Sequence, residues 1–286
     1  MAVFQNQASV SYGTTVRLSN VATGTIAEAV TVNKTAIEDA YDPGTTLTYV
    51  VNIMNGGTSP LTEITLTDDL GAIVYVEEKL TVIPLDYVDG SAAAFVNGVP
   101  APAPTAATTA AGTLEITGLS VPVSGTLTLV YQTTVNEYAP LGTGAQIVNT
   151  VTVTGDAVLA DTTATAAVPA DTGVDLTVHK SVSPETVRSG DTLTYTFVLS
   201  NTGAVEASGD VVLTDVFDPV LANLTASLDG AALVLGTDYA YDEASGTFET
   251  TPGAITVPAA VYTEDPTTGA WSTEPGTATL VITGTI

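Results

Sequence analysis

Residues 32–57 read VNKTAIEDAYDPGTTLTYVVNIMNGG, and residues 178–203 read VHKSVSPETVRSGDTLTYTFVLSNTG. The two stretches align at a constant offset of 146 positions, with lysine, TLTY and an Asn-Gly corner in the same places. Self-similarity on this scale marks tandem copies of one structural unit. The correspondence continues through TLTDDL at 65–70 and VLTDVF at 212–217, with one extra residue in the second copy, and through the pairs GTLEIT/GTFETT and GTLTLVY/GTATLVI. Within each copy, short alternating segments rich in Val, Thr, Ile and Tyr are punctuated by Gly, Pro, Asn and Asp. That pattern predicts an all-β fold of two tandem immunoglobulin-like antiparallel β-sandwiches. Residues 29–168 form the expected first domain and 174–286 the second, divided near PADTG at 169–173. The low-complexity stretch APAPTAATTAAG at 101–112 reads as a surface loop inside the first copy.

The copies differ at their ends. After GTLTLVYQTTV the first continues through IVNTVTVTGD and DTTATAAV, whereas the second stops at GTATLVITGTI. The segments that the second copy lacks are matched at the other end of the chain, by QNQASVSYG at 5–13 and SNVATGTI at 19–26. Residues 1–28 therefore read as an N-terminal donor arm that completes the second domain of a neighbouring subunit, with Phe4, Ala8, Val10 and Tyr12 as its inward side chains. A sandwich without its closing strands leaves an apolar groove and unpaired backbone groups, which strand addition satisfies. Donor and acceptor surfaces differ, so the contact repeats without closing and makes a fibre of identical subunits. The alternative is that the arm folds back on its own second domain.

The charge balance, 31 acidic against 5 basic residues, excludes nucleic acid and anionic membrane surfaces as partners. No apolar run is long enough to span a bilayer, so no membrane insertion is expected. The first residues have neither the basic start nor the apolar core of a secretory signal. With no cysteine, disulfides and thiolate metal sites are unavailable.

Three lysines occur, and two of them, Lys34 and Lys180, hold equivalent repeat positions. Strand alternation sets Lys34 on a face with Val30, Val32 and Ala36, and Lys180 with Leu176, Val178 and Val182. Both lysines point inward, where an unpaired ammonium is too costly to keep. Asp68 and Asp215 lie on the inward phase of their strands, as do Asn149 and, in the arm, Asn6. A desolvated lysine is a nucleophile, and a neighbouring carboxyl moves its protons. Each trio could thus form a Lys–Asn isopeptide bond in a single turnover, Lys34 with Asn149 inside one chain under Asp68, and Lys180 with Asn6 of the next subunit under Asp215. The competing reading is a buried Lys–Asp salt bridge beside an ordinary asparagine.

Lysine in the first strand, GDTLTYTFVLSNTG, LTD and a closing NTVTVTG together resemble the bacterial conserved-repeat modules (domain of unknown function eleven). These are immunoglobulin-like units of surface proteins, some similar to isopeptide-forming pilins and adhesins. The resemblance covers nearly the whole chain. Two such repeats also look like the major fibre subunits of endospore appendages from anaerobic spore-formers, which implies an extracellular or spore-surface location. An adhesin or carbohydrate-binding module with the repeats as stalk, and an S-layer protein, are the other readings.

His179 is the only histidine and falls on the outward phase, and no phosphate loop, nucleophile elbow or zinc motif is present, so neither a turnover enzyme, a cofactor nor a metal site is expected. Acidic clusters such as DYAYDE at 238–243 read as solvated loops, with Ca²⁺ binding as the less favoured alternative. Trp271 lies in an insertion that only the second copy has.

Overall fold

The structure is a computed structural model and describes residues 2–26, 30–75, 80–156, 158 and 161–286. The expected arm–domain boundary at 28/29 lies outside the described residues. All regular structure in them is β, and no helix is long and apolar enough to cross a membrane. The chain divides into two compact units at Ala170/Asp171, with 266–270 grouped with the first unit.

The arm is a β-hairpin of its own. β1 (Ala2–Asn6) pairs with β4 (Ala22–Ile26), and β2 (Ser9–Tyr12) pairs with β3 (Thr15–Leu18) around a turn at Gly13. Every side chain from Phe4 to Thr23 is exposed, so the hairpin packs its inward residues against nothing. Asn6 stands opposite Ala22, two residues away from the Gly24 that the sequence match would place there, and the Phe4 ring covers Gly24, leaving no space for a Cβ.

In domain 1, one sheet is built on β5 (Val30–Ala36) and β6 (Thr46–Asn55). The other begins with β7 (Leu61–Asp68). A small ribbon of β8 (Ile73–Tyr75) and β9 (Leu80–Val82) follows, then β10 (Leu85–Tyr87), β11 (Ala93–Val96), β12 (Val99–Pro100) and β13 (Thr105–Thr108). The domain ends with β14 (Leu114–Val121), β15 (Thr126–Val135), β16 (Gln146–Thr154) and β17 (Thr162–Pro169). The sheet orders are β12-β11-β15-β6-β5, with β10 also on β15, and β13-β14-β7-β16-β17. The low-complexity stretch is thus not wholly loop: its Thr/Ala alternation pairs 105–108 with β14 as an edge strand.

Alternation explains the core. Leu47, Tyr49, Val51 and Ile53 of β6 face Ile64, Leu66, Val151 and Val153 of the opposite sheet, all fully buried. Burying an aliphatic side chain of this size contributes about 1.5–3 kcal/mol. The closing hairpin β16–β17 supplies Ile147, Val151, Val153 and Val168 to that core.

Domain 2 repeats the first sheet as β18 (Leu176–Ser183) and β19 (Thr192–Asn201), and the second sheet as β20 (Thr214–Val216). Then come β21 (Ala222–Leu228), β22 (Ala231–Ala232), β23 (Tyr239–Asp242) and β24 (Thr247–Thr250). A hairpin of β25 (Val261–Glu264) and β26 (Trp271–Glu274) carries Trp271, and β27 (Gly276–Thr285) ends the unit. The sheets are β18-β19-β27-β21-β22 and β20-β24-β23. Whereas β7 pairs on both sides, β20 pairs only with β24 among the described residues, and the whole of β18 is exposed.

Candidate functional site: two lysine–aspartate cradles

In domain 1, β5 delivers Lys34 to the interior at a register opposite Val51. Its Nζ donates to Asp68 Oδ2 at 2.8 Å, and neither side chain has solvent access. Asp68 Oδ1 accepts the Leu70 amide at 2.7 Å, while the Tyr131 hydroxyl donates to Oδ2. The Lys34 ammonium sits 4.6 Å from the centre of the Tyr49 ring, which stacks on Tyr131 at 5.7 Å. Burial lowers the Lys34 pKa below that of a free lysine, against the opposing pull of Asp68. Burial likewise raises the Tyr131 pKa, and the Asp68 charge raises it further.

Asn149 enters from β16, two residues before Val151, which pairs with Asp68. It is fully buried, yet neither its Oδ1 nor its Nδ2 has a hydrogen-bond partner. It lies close enough to the Tyr49 hydroxyl to oppose the rise that burial causes in that phenol's pKa, without reaching hydrogen-bond geometry. An orphaned buried amide costs roughly 1–3 kcal/mol per unsatisfied group. The neighbouring Asp69 holds the strand in place: its Oδ1 accepts the backbone amides of Thr150 at 2.8 Å and Gly71 at 2.9 Å.

Domain 2 builds the same pair without its cover. Lys180 Nζ donates to Asp215 Oδ2, and Asp215 Oδ1 accepts the Val216 amide at 2.9 Å. The rings of Tyr195, Phe197 and Phe217 lie 4.8, 5.3 and 5.4 Å from the ammonium. Here the lysine and aspartate side chains keep 42% and 18% of their exposure, against 0% for both in domain 1. Among the described residues no closing strand brings an asparagine to this pair, and Asn6 stays in the exposed arm with Phe4, Ala8, Val10 and Tyr12.

Sequence reasoning missed Tyr49, Tyr131 and Asp69. Both tyrosines share the inward phase of their strands, a usable signal, but only the cross-strand register that pairs Tyr131 with Tyr49 brings a hydroxyl to Asp68. Ile282 occupies the Tyr131 position in domain 2, opposite Tyr195, and Val216 follows Asp215 where Asp69 follows Asp68. A second repeated feature is structural. Asn55 and Asn201 cap their corners alike, each accepting from the glycine two residues on and donating to backbone carbonyls, including Pro122 and Pro258. His179 is exposed, and no cluster suited to a metal ion occurs among the described residues.

No protein-family model matches the chain, and no curated protein matches it either. Solved structures similar to it include Gram-positive pilin and adhesin domains. The major pilin subunit BcpA of Bacillus cereus is 12% identical, with a TM-score of 0.37, over 96% of this chain and 73% of that one. A C-terminal fragment of the major pilin GBS80 of Streptococcus agalactiae is 15% identical, with a TM-score of 0.35, over 87% and 91%. The collagen-binding subdomain of the Enterococcus faecalis surface protein ACE is 11% identical, with a TM-score of 0.31, over 47% and 94%.

Proposed function

We propose that the chain is a structural subunit of an extracellular or spore-surface fibre that polymerises head to tail, the hairpin at 2–26 of one copy completing domain 2 of the next. One observation carries the reading: domain 2 has the architecture of domain 1 without β16–β17, and its Lys180–Asp215 pair lies open where Lys34–Asp68 is sealed. The arm supplies what is lacking. Aligning Asn6 with Asn149 sets Phe4 at the position of Ile147, Ala8 at Val151 and Val10 at Val153. Phe4 and Val10, more than half exposed in the free arm, become core residues on docking and drive it by the hydrophobic effect.

The cradles add covalent strength. Proton transfer from the Lys34 ammonium to Asp68 leaves a neutral amine and a carboxylic acid. The amine attacks Asn149 Cγ, Asp68 gives the proton it holds to the amide nitrogen and takes the surplus proton of the attacking nitrogen, and the ammonia that departs carries that proton off as ammonium, leaving Asp68 a carboxylate. One C–N bond forms and one breaks, with no oxidant or cofactor. In domain 2 the same steps join Lys180 to Asn6 of the incoming arm once docking excludes water from the pair. No turnover activity beyond this is proposed.

The test is denaturing electrophoresis of boiled, assembled material with intact mass of any released monomer. A ladder that survives boiling and disappears in Lys180→Ala or Asn6→Ala is expected. Monomer lighter by one ammonia would keep the Lys34–Asn149 bond and reject the intersubunit one. Full release of monomer at unmodified mass would reject both, and polymerisation indifferent to deletion of the first 26 residues would reject strand donation.

A further inference from the structure

We infer that a cleft in domain 2 is the seat of the Tyr12 ring of a second copy, and that this side chain determines which groove the arm enters. The inference rests on the strand-donation reading and adds its specificity element.

The cleft has a volume of about 460 Å³ and is lined by Val174, Leu176, Glu206, Ala207, Val211 and Val212, among others. Its place in the repeat is fixed by backbone pairing. Ala207 bridges Val257, as Leu61 pairs with Val121 in domain 1, and in each copy the next residue is the proline whose carbonyl receives the corner asparagine. Ala207 is therefore the counterpart of Leu61. Where domain 1 buries a leucine completely, domain 2 has only a methyl group. The extra residue of the second copy falls between Ala207 and Asp215, and 208–213 leaves the regular strand that the equivalent stretch of β7 keeps.

The closing strands also differ where they pass this part of β7 and its counterpart. Six residues beyond Asn149, on the same phase, comes Gly155, and six beyond Asn6 comes Tyr12. A Cβ at Gly155 would meet the Thr62 and Glu63 carbonyl oxygens and Ile64 Cα at 3.3–3.4 Å, so the glycine closes tightly on β7. Val211 is the counterpart of Ile64 and lines the cleft. In domain 1 the closing strand thus sets a glycine against Thr62–Ile64 of β7, and in the aligned arm Tyr12 takes that place, beside the cleft that Ala207 and Val211 line. Tyr12 is 91% exposed in the free hairpin, the most exposed large apolar side chain of the described residues. Charge fits as well: Glu206 and Asp210 at the cleft can accept the phenol proton, and the first 26 residues contain one arginine and no carboxylate side chain in a chain of net charge −26. The exchanged sizes discriminate against the wrong partner, since Tyr12 is too large for the groove of domain 1 and Gly155 would leave the cleft of domain 2 empty.

The critical concentration for assembly of the Asn6→Ala chain, whose junctions cannot seal covalently, read by light scattering, tests the seat. Tyr12→Gly and Ala207→Leu should each raise it about thirtyfold, the loss expected for an interface anchor. The double variant puts a leucine side chain into the space that Tyr12 vacates and should return to within about threefold of the parent. Val212→Trp, at a lining position already open to solvent, should block the cleft without disturbing the core. Single variants that assemble like the parent, or a double variant no better than the worse single, overturn the seat. If the parent polymer does not depend on the arm at all, the donation reading itself fails; dependence on the arm with indifference at Tyr12, Ala207 and Val212 rejects this inference alone.

Discussion

Replacing Asn149 by leucine separates the bonded from the unbonded domain 1 by the sign of the stability change. The substitution keeps the number and branching of side-chain heavy atoms, leaves the Lys34–Asp68 pair intact and removes the orphaned amide. A Lys34–Asn149 bond closes a loop of about 115 residues, for which chain-entropy loss in the unfolded state amounts to about 5 kcal/mol. Asn149→Leu should therefore lower the unfolding free energy of domain 1 by about 5 kcal/mol. Without the bond, the same change exchanges two unsatisfied buried polar atoms for apolar surface and should be neutral or stabilising by about 1–3 kcal/mol. Urea unfolding of the monomeric chain, followed by tyrosine signals and paired with intact mass, reads both quantities. A parent at its unmodified mass, together with an Asn149→Leu chain at least as stable, would refute the reasoning.

Other outcomes follow from the same geometry. Asp68→Asn leaves the Lys34 ammonium buried without its counter-ion; it should abolish the loss of ammonia in mass spectra and leave domain 1 about 3–5 kcal/mol less stable than the uncross-linked Asn149→Leu chain. In the uncross-linked Asn149→Leu chain the folded Lys34 pKa lies below the ordinary 10.5, so the unfolded state binds more protons across that window. Stability should then rise as pH increases toward 10.5. Above pH 10 the sign reverses, because Tyr41, Tyr49 and Tyr131 have raised folded pKa values and only the unfolded chain ionises there. Alkaline denaturation scans measure both limbs. Asn55→Ala removes the corner's hydrogen bonds to Gly57, Ser59 and Pro122 and should cost about 3 kcal/mol in thermal or urea unfolding.

The sandwich fold was legible because alternation and turn residues are local signals, and because the repeat displays them twice. The inward phase of Lys34, Asp68 and Asn149 was legible for the same reason, since side-chain direction in a strand follows from counting by two. What could not be read was register between distant strands. Tyr131 reaches Asp68 across 63 positions of sequence, and Asp69 reaches the Thr150 amide across 81. Nor did alternation reveal that 105–108 would pair as an edge strand, because Ala and Thr are weak signals beside prolines. The cleft at Ala207 was hidden in the single extra residue of the second copy, whose position only backbone pairing fixes.

The half-open Lys180–Asp215 pair has a consequence for errors in growth. In the proposed assembly water reaches the lysine until an arm is seated, so a badly seated arm meets a hydrated pair and can leave again. Only an arm that fits long enough to dry the pair proceeds to the irreversible step. Under the proposed assembly, the fibre inspects each junction before sealing it, and the energy of inspection is the desolvation of one ammonium.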